Sequence, residues 1–259
     1  MIKTTLPIKY WNNNNTINIS PEDENGRKIE VAYFSGVQFV GHSIHYPQPL
    51  LYTNNNLILP TKEKFMSLGR GTVYEDTMMY DIKLKNIESV HDDFVYYFVY
   101  NTSNYFHFIY DTLPYLYGYF NQKNYISNLK LLVSPPEGKE DLYPFVWDTL
   151  ELLGITRDDV VFLDDKVKYE IVIVGSSLTH DGLSDAPPHK GIFDIINRMK
   201  GYYEGEEKIY ISRRSWIHNN KENIGTDYTE KRRCINEDDV VSIFKQRGFK
   251  EIFCENLTM

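Results

Sequence analysis

The segment NTSNYFHFIYDTLPYLYGYF, residues 101–120, combines a helix start, a set of polar residues and a dense run of aromatic residues. Thr102 or Ser103 is predicted as the N-cap, because a short side-chain oxygen accepts a hydrogen bond from the first helical turn. The helix is then predicted to begin near Asn104. Pro114 lies inside the helical pattern, where it removes one backbone donor, so we expect a kink there.

A polar triplet lies within this segment. Asn104, His107 and Asp111 stand at i, i+3 and i+7, so a 3.6-residue period places all three on one face of the helix. Their neighbours are apolar, and polar groups buried among aromatics need partners or a ligand. The spacing alone leaves a second interpretation open, in which Asn104 is an ordinary cap, His107 is a core histidine and Asp111 is solvated.

The composition restricts the class of partner. The chain has 259 residues, enough for one large domain or two ordinary ones, and its net charge is −8. Nucleic-acid binding depends on basic patches that neutralise phosphates, so we expect no nucleic-acid partner. The two cysteines, Cys234 and Cys254, belong to no metal-binding pattern, so we expect no metal site and a reducing compartment.

Hydropathy predicts no membrane association. No apolar run approaches the roughly 18 residues that span a bilayer. The first residues, MIKTTLPIKYWNNNN, lack the apolar core of a signal peptide. The sequence therefore predicts a soluble, cytoplasmic protein without a membrane span.

The patterning predicts three regions. Residues 1–28 are polar and Asn-rich and are predicted to form an irregular arm; residues 29–203 form an N-terminal α/β domain and residues 204–259 a partial C-terminal domain. The first domain opens with two apolar runs separated by NNN, which predicts a β-hairpin or small meander. Later strands and helices alternate at βαβ spacing, so we predict an α/β fold with a mostly parallel, doubly wound sheet.

The later elements of this pattern have clear boundaries. Residues 94–100, FVYYFVY, form a continuous apolar run of strand length that leads directly into the segment with the polar triplet. This arrangement puts the start of the helix at the carboxyl edge of the sheet, where α/β proteins bind ligands. Further strands are predicted at 128–136, 159–165, 169–177, 208–212 and 250–259, and further helices at 142–154, 193–203 and 236–247.

A second constellation is basic. Arg213 and Arg214 end a predicted strand, and Arg232 and Arg233 precede a predicted helix N-terminus. Guanidinium groups match phosphate geometry, and helix N-terminal N–H groups add partial positive charge, so this arrangement suits a diphosphate. A solvated basic loop is the alternative.

Both constellations resemble motifs of glycosyltransferase family 61. NYFHFIYDTLP is similar to the N-x-x-H-x-x-x-D-x-L-P signature of that family, and ISRR with RRCINEDDVVSIFKQRGF resembles its I-S-R … R-R-x-x-N-E-x-E … G-F hallmark. The resemblance covers roughly residues 30–259. It implies a GT-B architecture, with a Rossmann-like N-terminal domain and a second Rossmann-like domain that is incomplete here, because the H-G-A-containing segment of the family is not present.

The resemblance also implies a reaction. It predicts an inverting glycosyltransferase that moves a sugar from a nucleotide-sugar, in this family usually a UDP-sugar, to a hydroxyl of a glycan or glycoprotein, with no cofactor and no obligatory metal. Arg213 and Arg233 would contact the donor diphosphate, with Arg232 as a further candidate. A second chain or an oligomer would complete the C-terminal domain. The alternative function is a non-catalytic, truncated relative that acts as a glycan-binding or partner-binding scaffold.

The polar triplet has a role in the same scheme. By resemblance, Asn104, His107 and Asp111 face the cleft between the two domains. An inverting transfer needs a base that takes the proton of the acceptor hydroxyl, and both His107 and Asp111 can do this. We prefer His107.

Overall fold

Strands rich in β-branched and aromatic residues dominate the chain, which divides into two units, residues 1–200 and 201–259. The computed structural model describes residues 7–11, 16–23, 27–40, 50–60, 84–136, 138–179, 188–199, 208–212 and 236–253. The strands of the first unit are β1 (Ile8–Trp11), β2 (Thr16–Asn18), β3 (Glu30–Val40), β4 (Leu50–Thr53), β5 (Asn56–Pro60), β6 (Ser89–Tyr97), β7 (Lys130–Val133), β8 (Val160–Phe162) and β9 (Val167–Gly175).

These strands form one mixed sheet in the order β1-β5-β4-β3-β9-β6-β7-β8, with β2 paired to β3. β9, β6, β7 and β8 are parallel to one another, whereas β3, β4 and β5 are antiparallel neighbours and β3 is antiparallel to β9. The α/β class is therefore confirmed, and the sheet is mixed rather than mostly parallel. A two-residue turn joins only antiparallel strands, and Asn54 and Asn55, with φ angles of 48° and 60°, form the predicted turn of this kind between β4 and β5.

The Asn-rich region was predicted to form an irregular arm, but its described part contains two strands. β1 pairs in parallel with β5, and β2 pairs in antiparallel fashion with β3. Segments of three or four residues show no sustained hydrophobic period, so the sequence pattern does not reveal them. Their hydrogen bonds come from pairing with strands that are already in the sheet.

The core is centred on β6 and β9. Residues 95–100 are buried throughout, although β6 ends at Tyr97, three residues before the end of the predicted strand. The Tyr96 hydroxyl donates to the Tyr115 carbonyl oxygen over 2.8 Å. It lies against Gly175 at the end of β9 and against Gly118, and a Cβ on either glycine would overlap it. Both positions therefore require glycine for close packing.

The longer α-helices of the first unit are α1 (Leu116–Lys123), α2 (Pro144–Leu152) and α3 (Ile192–Met199). α2 and the start of α3 lie within two residues of their predicted positions, whereas α1 begins twelve residues after the helix start predicted near Asn104. α2 ends as predicted, because Gly154 follows its C-cap with a φ of 75°, a conformation that favours glycine.

The second unit contains a strand, a helix and a strand, as the pattern predicts. β10 (Lys208–Ser212) pairs in parallel with β11 (Phe249–Phe253), and α4 (Glu237–Gln246) connects them in sequence. Phe244 of α4 stacks on Tyr210 of β10 with 4.8 Å between ring centroids and meets Phe249 edge-on at 4.8 Å. Aromatic contacts thus hold the helix against the strand pair.

Candidate functional site

The site begins at the carboxyl end of β6, where the Asn101 side chain organises a tight turn. Asn101 Oδ1 accepts from Ser103 N at 3.2 Å, from Ser103 Oγ at 3.1 Å and from Asn104 N at 3.1 Å. Thr112 Oγ1 donates to the Asn101 carbonyl oxygen over 2.9 Å. Asn101 therefore holds Ser103 and Asn104 through its side chain, and it holds Thr112 of the helical segment through its carbonyl oxygen.

The N-cap was predicted at the wrong residue. Asn104, not Thr102 or Ser103, caps the first α-helical turn, Tyr105–His107, and its Oδ1 accepts from His107 N at 3.2 Å. An extended backbone at Asn104 and a short side-chain acceptor meet the requirements of a cap. Asn101 fixes that position by holding Asn104 N, a contact that depends on the folded turn.

The helical segment is not a uniform α-helix. Phe108–Thr112 forms a π-helical turn and Leu113–Tyr115 a 3₁₀ turn before α1 begins. In a continuous α-helix the Tyr110 carbonyl oxygen would accept from residue 114, but Pro114 has no N–H. The hydrogen-bond pattern therefore changes over eight residues around Pro114, and the kink expected there stays a prediction.

His107 and Asp111 form a hydrogen-bonded pair. His107 Nδ1 lies 2.5 Å from Asp111 Oδ2, and the two side chains are 29% and 16% exposed. A carboxylate accepts, so Nδ1 carries the proton in this pair and Nε2 holds the lone pair of the neutral ring. The structure thus brings all three predicted residues together, with Asn104 joined to His107 through the backbone. The pair has the form of a base oriented by a carboxylate.

Sequence reasoning did not identify two further residues, Tyr115, which interacts with Asp111, and Ser177, which interacts with Tyr115. The Tyr115 hydroxyl hydrogen-bonds with Ser177 and lies within electrostatic range of Asp111. Burial raises the pKa of Tyr115 far above its usual value, the negative charge of Asp111 raises it further, and the bond to Ser177 opposes them. Tyr115 therefore stays neutral. Ser177 follows β9, the parallel neighbour of β6, so the two strands bring these residues to one edge of the sheet.

The predicted diphosphate ligands Arg213, Arg232 and Arg233 lie outside the described residues. Glu237, the first residue of α4 and only 4% exposed, accepts on Oε1 from Ser212 Oγ at 3.1 Å and from Tyr210 Oη at 3.2 Å. The carboxyl end of β10 and the N-terminus of α4 therefore adjoin.

Within the described ranges, no group of three or more His, Cys, Asp and Glu side chains is arranged to hold a metal ion. In the same part of the chain, no helix is long and apolar enough to cross a membrane. No family model matches the chain, and no curated protein matches it.

Proposed function

We propose that this protein is an inverting glycosyltransferase that uses a nucleotide-sugar, a UDP-sugar by preference, and transfers the sugar to a hydroxyl of a glycan or glycoprotein. The observation that carries the proposal is the hydrogen-bonded pair of His107 and Asp111, half-buried at the carboxyl end of a parallel strand. The resemblance of both sequence motifs to glycosyltransferase family 61 supports the reaction class and the GT-B architecture.

The pair has the chemistry that inversion requires. His107 Nε2 takes the proton of the acceptor hydroxyl as its oxygen attacks the anomeric carbon. The bond from that carbon to the diphosphate oxygen breaks with its electron pair, so the nucleoside diphosphate leaves from the opposite face and the configuration inverts. Asp111 holds the ring through Nδ1 and stabilises the imidazolium that forms. The Asp111 carboxylate is thus an orienting group, and His107 is the base.

The donor diphosphate is assigned to Arg213 and Arg233, with Arg232 in support, by the same resemblance. Charge on the diphosphate increases as the glycosidic bond breaks, so guanidinium groups there stabilise the transition state more than the ground state. The adjoining ends of β10 and α4 support this assignment, because they bring the chain segments on either side of these arginines close together.

The first test is donor binding. Calorimetry of the purified chain with UDP is expected to give a Kd between micromolar and low millimolar, and Arg213→Ala is expected to weaken binding by about 1.5–3 kcal/mol, the range for a charge-assisted hydrogen bond. A folded, monodisperse chain that does not bind UDP would contradict an autonomous transferase and would favour the scaffold function.

The second test is turnover. Release of UDP from a panel of UDP-sugars, with mixed glycan acceptors, is measured for the wild type, His107→Gln and Asp111→Asn. Loss of a general base is expected to lower kcat by about 10²–10⁴-fold with UDP affinity unchanged. Glu170→Gln is a matched control, because its carboxylate pairs with Lys168 on the surface of β9. Equal turnover of His107→Gln and the wild type would remove His107 from the mechanism.

A further inference from the structure

The His189 side chain is buried at the start of α3 in a defined tautomer. It is 2% exposed, and its Nδ1 accepts from Gly191 N over 3.0 Å. A backbone N–H only donates, so Nδ1 is unprotonated and the neutral ring carries its proton on Nε2. Nε2 is buried and has no hydrogen-bond partner among the residues that the structure describes.

The turn around this ring is tightly packed. His189 N donates to the Leu178 carbonyl oxygen over 2.6 Å. A Cβ added at Gly191 would lie 3.1 Å from His189 Nδ1, 3.1 Å from Tyr117 Cε2 and 3.2 Å from Leu178 Cδ2. The ring nitrogen and the Gly191 backbone therefore lie between α1 and the end of β9, and neither can shift without disturbing this packing.

Charged groups from two parts of the chain lie within electrostatic range of the ring. Asp23 and Arg27 precede β3, and Lys190 and Asp194 belong to the turn and to α3. Arg27 is itself buried and donates from Nη2 to the Leu178 carbonyl oxygen over 3.2 Å. Burial lowers the pKa of His189 most; Arg27 and Lys190 lower it further, whereas Asp23 and Asp194 oppose them. The surroundings thus disfavour an imidazolium in the packed turn.

We propose that His189 is an acid-sensitive latch, whose protonation releases residues 188–199, including α3, from the first unit. In the neutral ring the only lone pair is on Nδ1, so a second proton goes there. Two N–H donors would then face each other across 3.0 Å, and the bond from Gly191 that closes the turn is lost. The latch is independent of the proposed glycosyl transfer, because it uses no residue of the His107–Asp111 pair.

The direction of the pH effect follows from linkage. The released turn exposes His189, which then takes up a proton near its ordinary pKa of 6.5, whereas the packed turn resists that proton. The packed state is therefore fully stable above this pH and loses stability as the pH falls below it. One proton taken up on release shifts the equilibrium by up to about tenfold per pH unit.

Hydrogen exchange tests the latch. Deuterium uptake of peptides covering residues 188–199 is compared at about pH 8 and about pH 5, after correction for the intrinsic exchange rate, in the wild type and in His189→Asn. The asparagine Oδ1 can accept from Gly191 N in place of Nδ1 and takes no proton. We expect protection to fall at least several-fold at the lower pH in the wild type and to stay constant in the variant. Equal protection at both pH values in the wild type, or the same loss in the variant, would overturn the proposal.

A second measurement does not depend on the folding of the variant. In wild-type protein, the NMR signals of the His189 ring and of the Gly191 amide are followed during a pH titration. The proposal requires both to change together with a midpoint below 6.5. A ring that titrates while the Gly191 amide signal stays constant would disprove the latch.

Discussion

The Tyr96 hydroxyl is packed closely against Gly175 and Gly118, and one added methyl group tests this packing. Gly175→Ala places a Cβ where this hydroxyl lies, and 3.0 Å from Tyr96 Cζ. Because Gly175 has no left-handed backbone conformation, the change introduces no backbone strain of its own. The fully buried Tyr96 ring must move, and its bond to the Tyr115 carbonyl oxygen must lengthen or break.

The expected cost is the sum of three effects. Overpacking of a filled core costs about 1–3 kcal/mol. A buried hydroxyl left without its hydrogen bond costs about 1–3 kcal/mol, and the smaller conformational freedom of alanine in the unfolded chain stabilises the variant by about 0.4–1 kcal/mol. We expect Gly175→Ala to lower the free energy of unfolding by about 2–4 kcal/mol, or the melting temperature by several degrees for a unit of this size.

Urea denaturation followed by tryptophan fluorescence measures this, and a double-mutant cycle identifies the cause. Tyr96→Phe removes only the overlapping oxygen and is expected to cost about 1–2 kcal/mol by itself. The double variant Tyr96→Phe with Gly175→Ala should lose about 1–2 kcal/mol less unfolding free energy than the sum of the two single losses, because both changes remove the same contact. Additive free energies within about 0.5 kcal/mol would refute the reasoning.

Two further predictions concern local structure. The Asp141 carboxylate accepts from Trp147 Nε1 at 2.9 Å and from Arg157 at 3.0 Å. Burial is the largest single influence on its pKa and raises it, but the bonds from Trp147, Arg157 and Leu142 together lower the pKa below the ordinary 3.8. The contribution of this carboxylate to stability is therefore present above pH 3.8 and is lost as the pH falls through the lowered pKa. The stability difference between the wild type and Asp141→Asn should therefore shrink in acid denaturation below about pH 4, and a constant difference would contradict this. Asn55→Ala should lower the free energy of unfolding, measured by urea denaturation, by about 1 kcal/mol, because alanine tolerates the φ of 60° poorly. Asn55→Gly should not lower it. Equal stability of the two variants would exclude turn strain.

The elements with strong local signals could be predicted from the sequence. The turn at Asn54 and Asn55, the stop of α2 at Gly154 and the strand, helix and strand of the second unit depend on residues close in the chain. The pairing of β3 with β9 joins segments more than a hundred residues apart, and no local pattern encodes it. The mixed character of the sheet therefore emerges only with the fold.

The same distinction applies to the site. The proximity of His107 and Asp111 could be predicted, because four residues along a helical segment bring side chains together. The cap at Asn104 belongs to the second interpretation of the sequence, but the choice of Asn104 over Thr102 and Ser103 depends on the bonds that Asn101 makes in the folded turn. Tyr115 and Ser177 are 62 positions apart in sequence, and only the neighbouring positions of β6 and β9 unite them. A polar residue directly after a buried strand is a sequence signal of a site, and this signal could have indicated Ser177.

The position of β9 in the sheet explains why so many polar groups meet at one edge. Its neighbour β6 is parallel, so both strands end there, followed by Ser177 and by the turn that leads to His107. Its other neighbour, β3, is antiparallel and begins at the same edge: Ser176 N donates to the Glu30 carbonyl oxygen, and Glu30 N donates to Ser176 Oγ, each over 2.9 Å. The segment before β3 thereby brings Arg27 to Leu178. If β3 were parallel to β9, it would begin at the opposite edge, away from His189, so the antiparallel pairing of β3 is what brings Arg27 to the histidine.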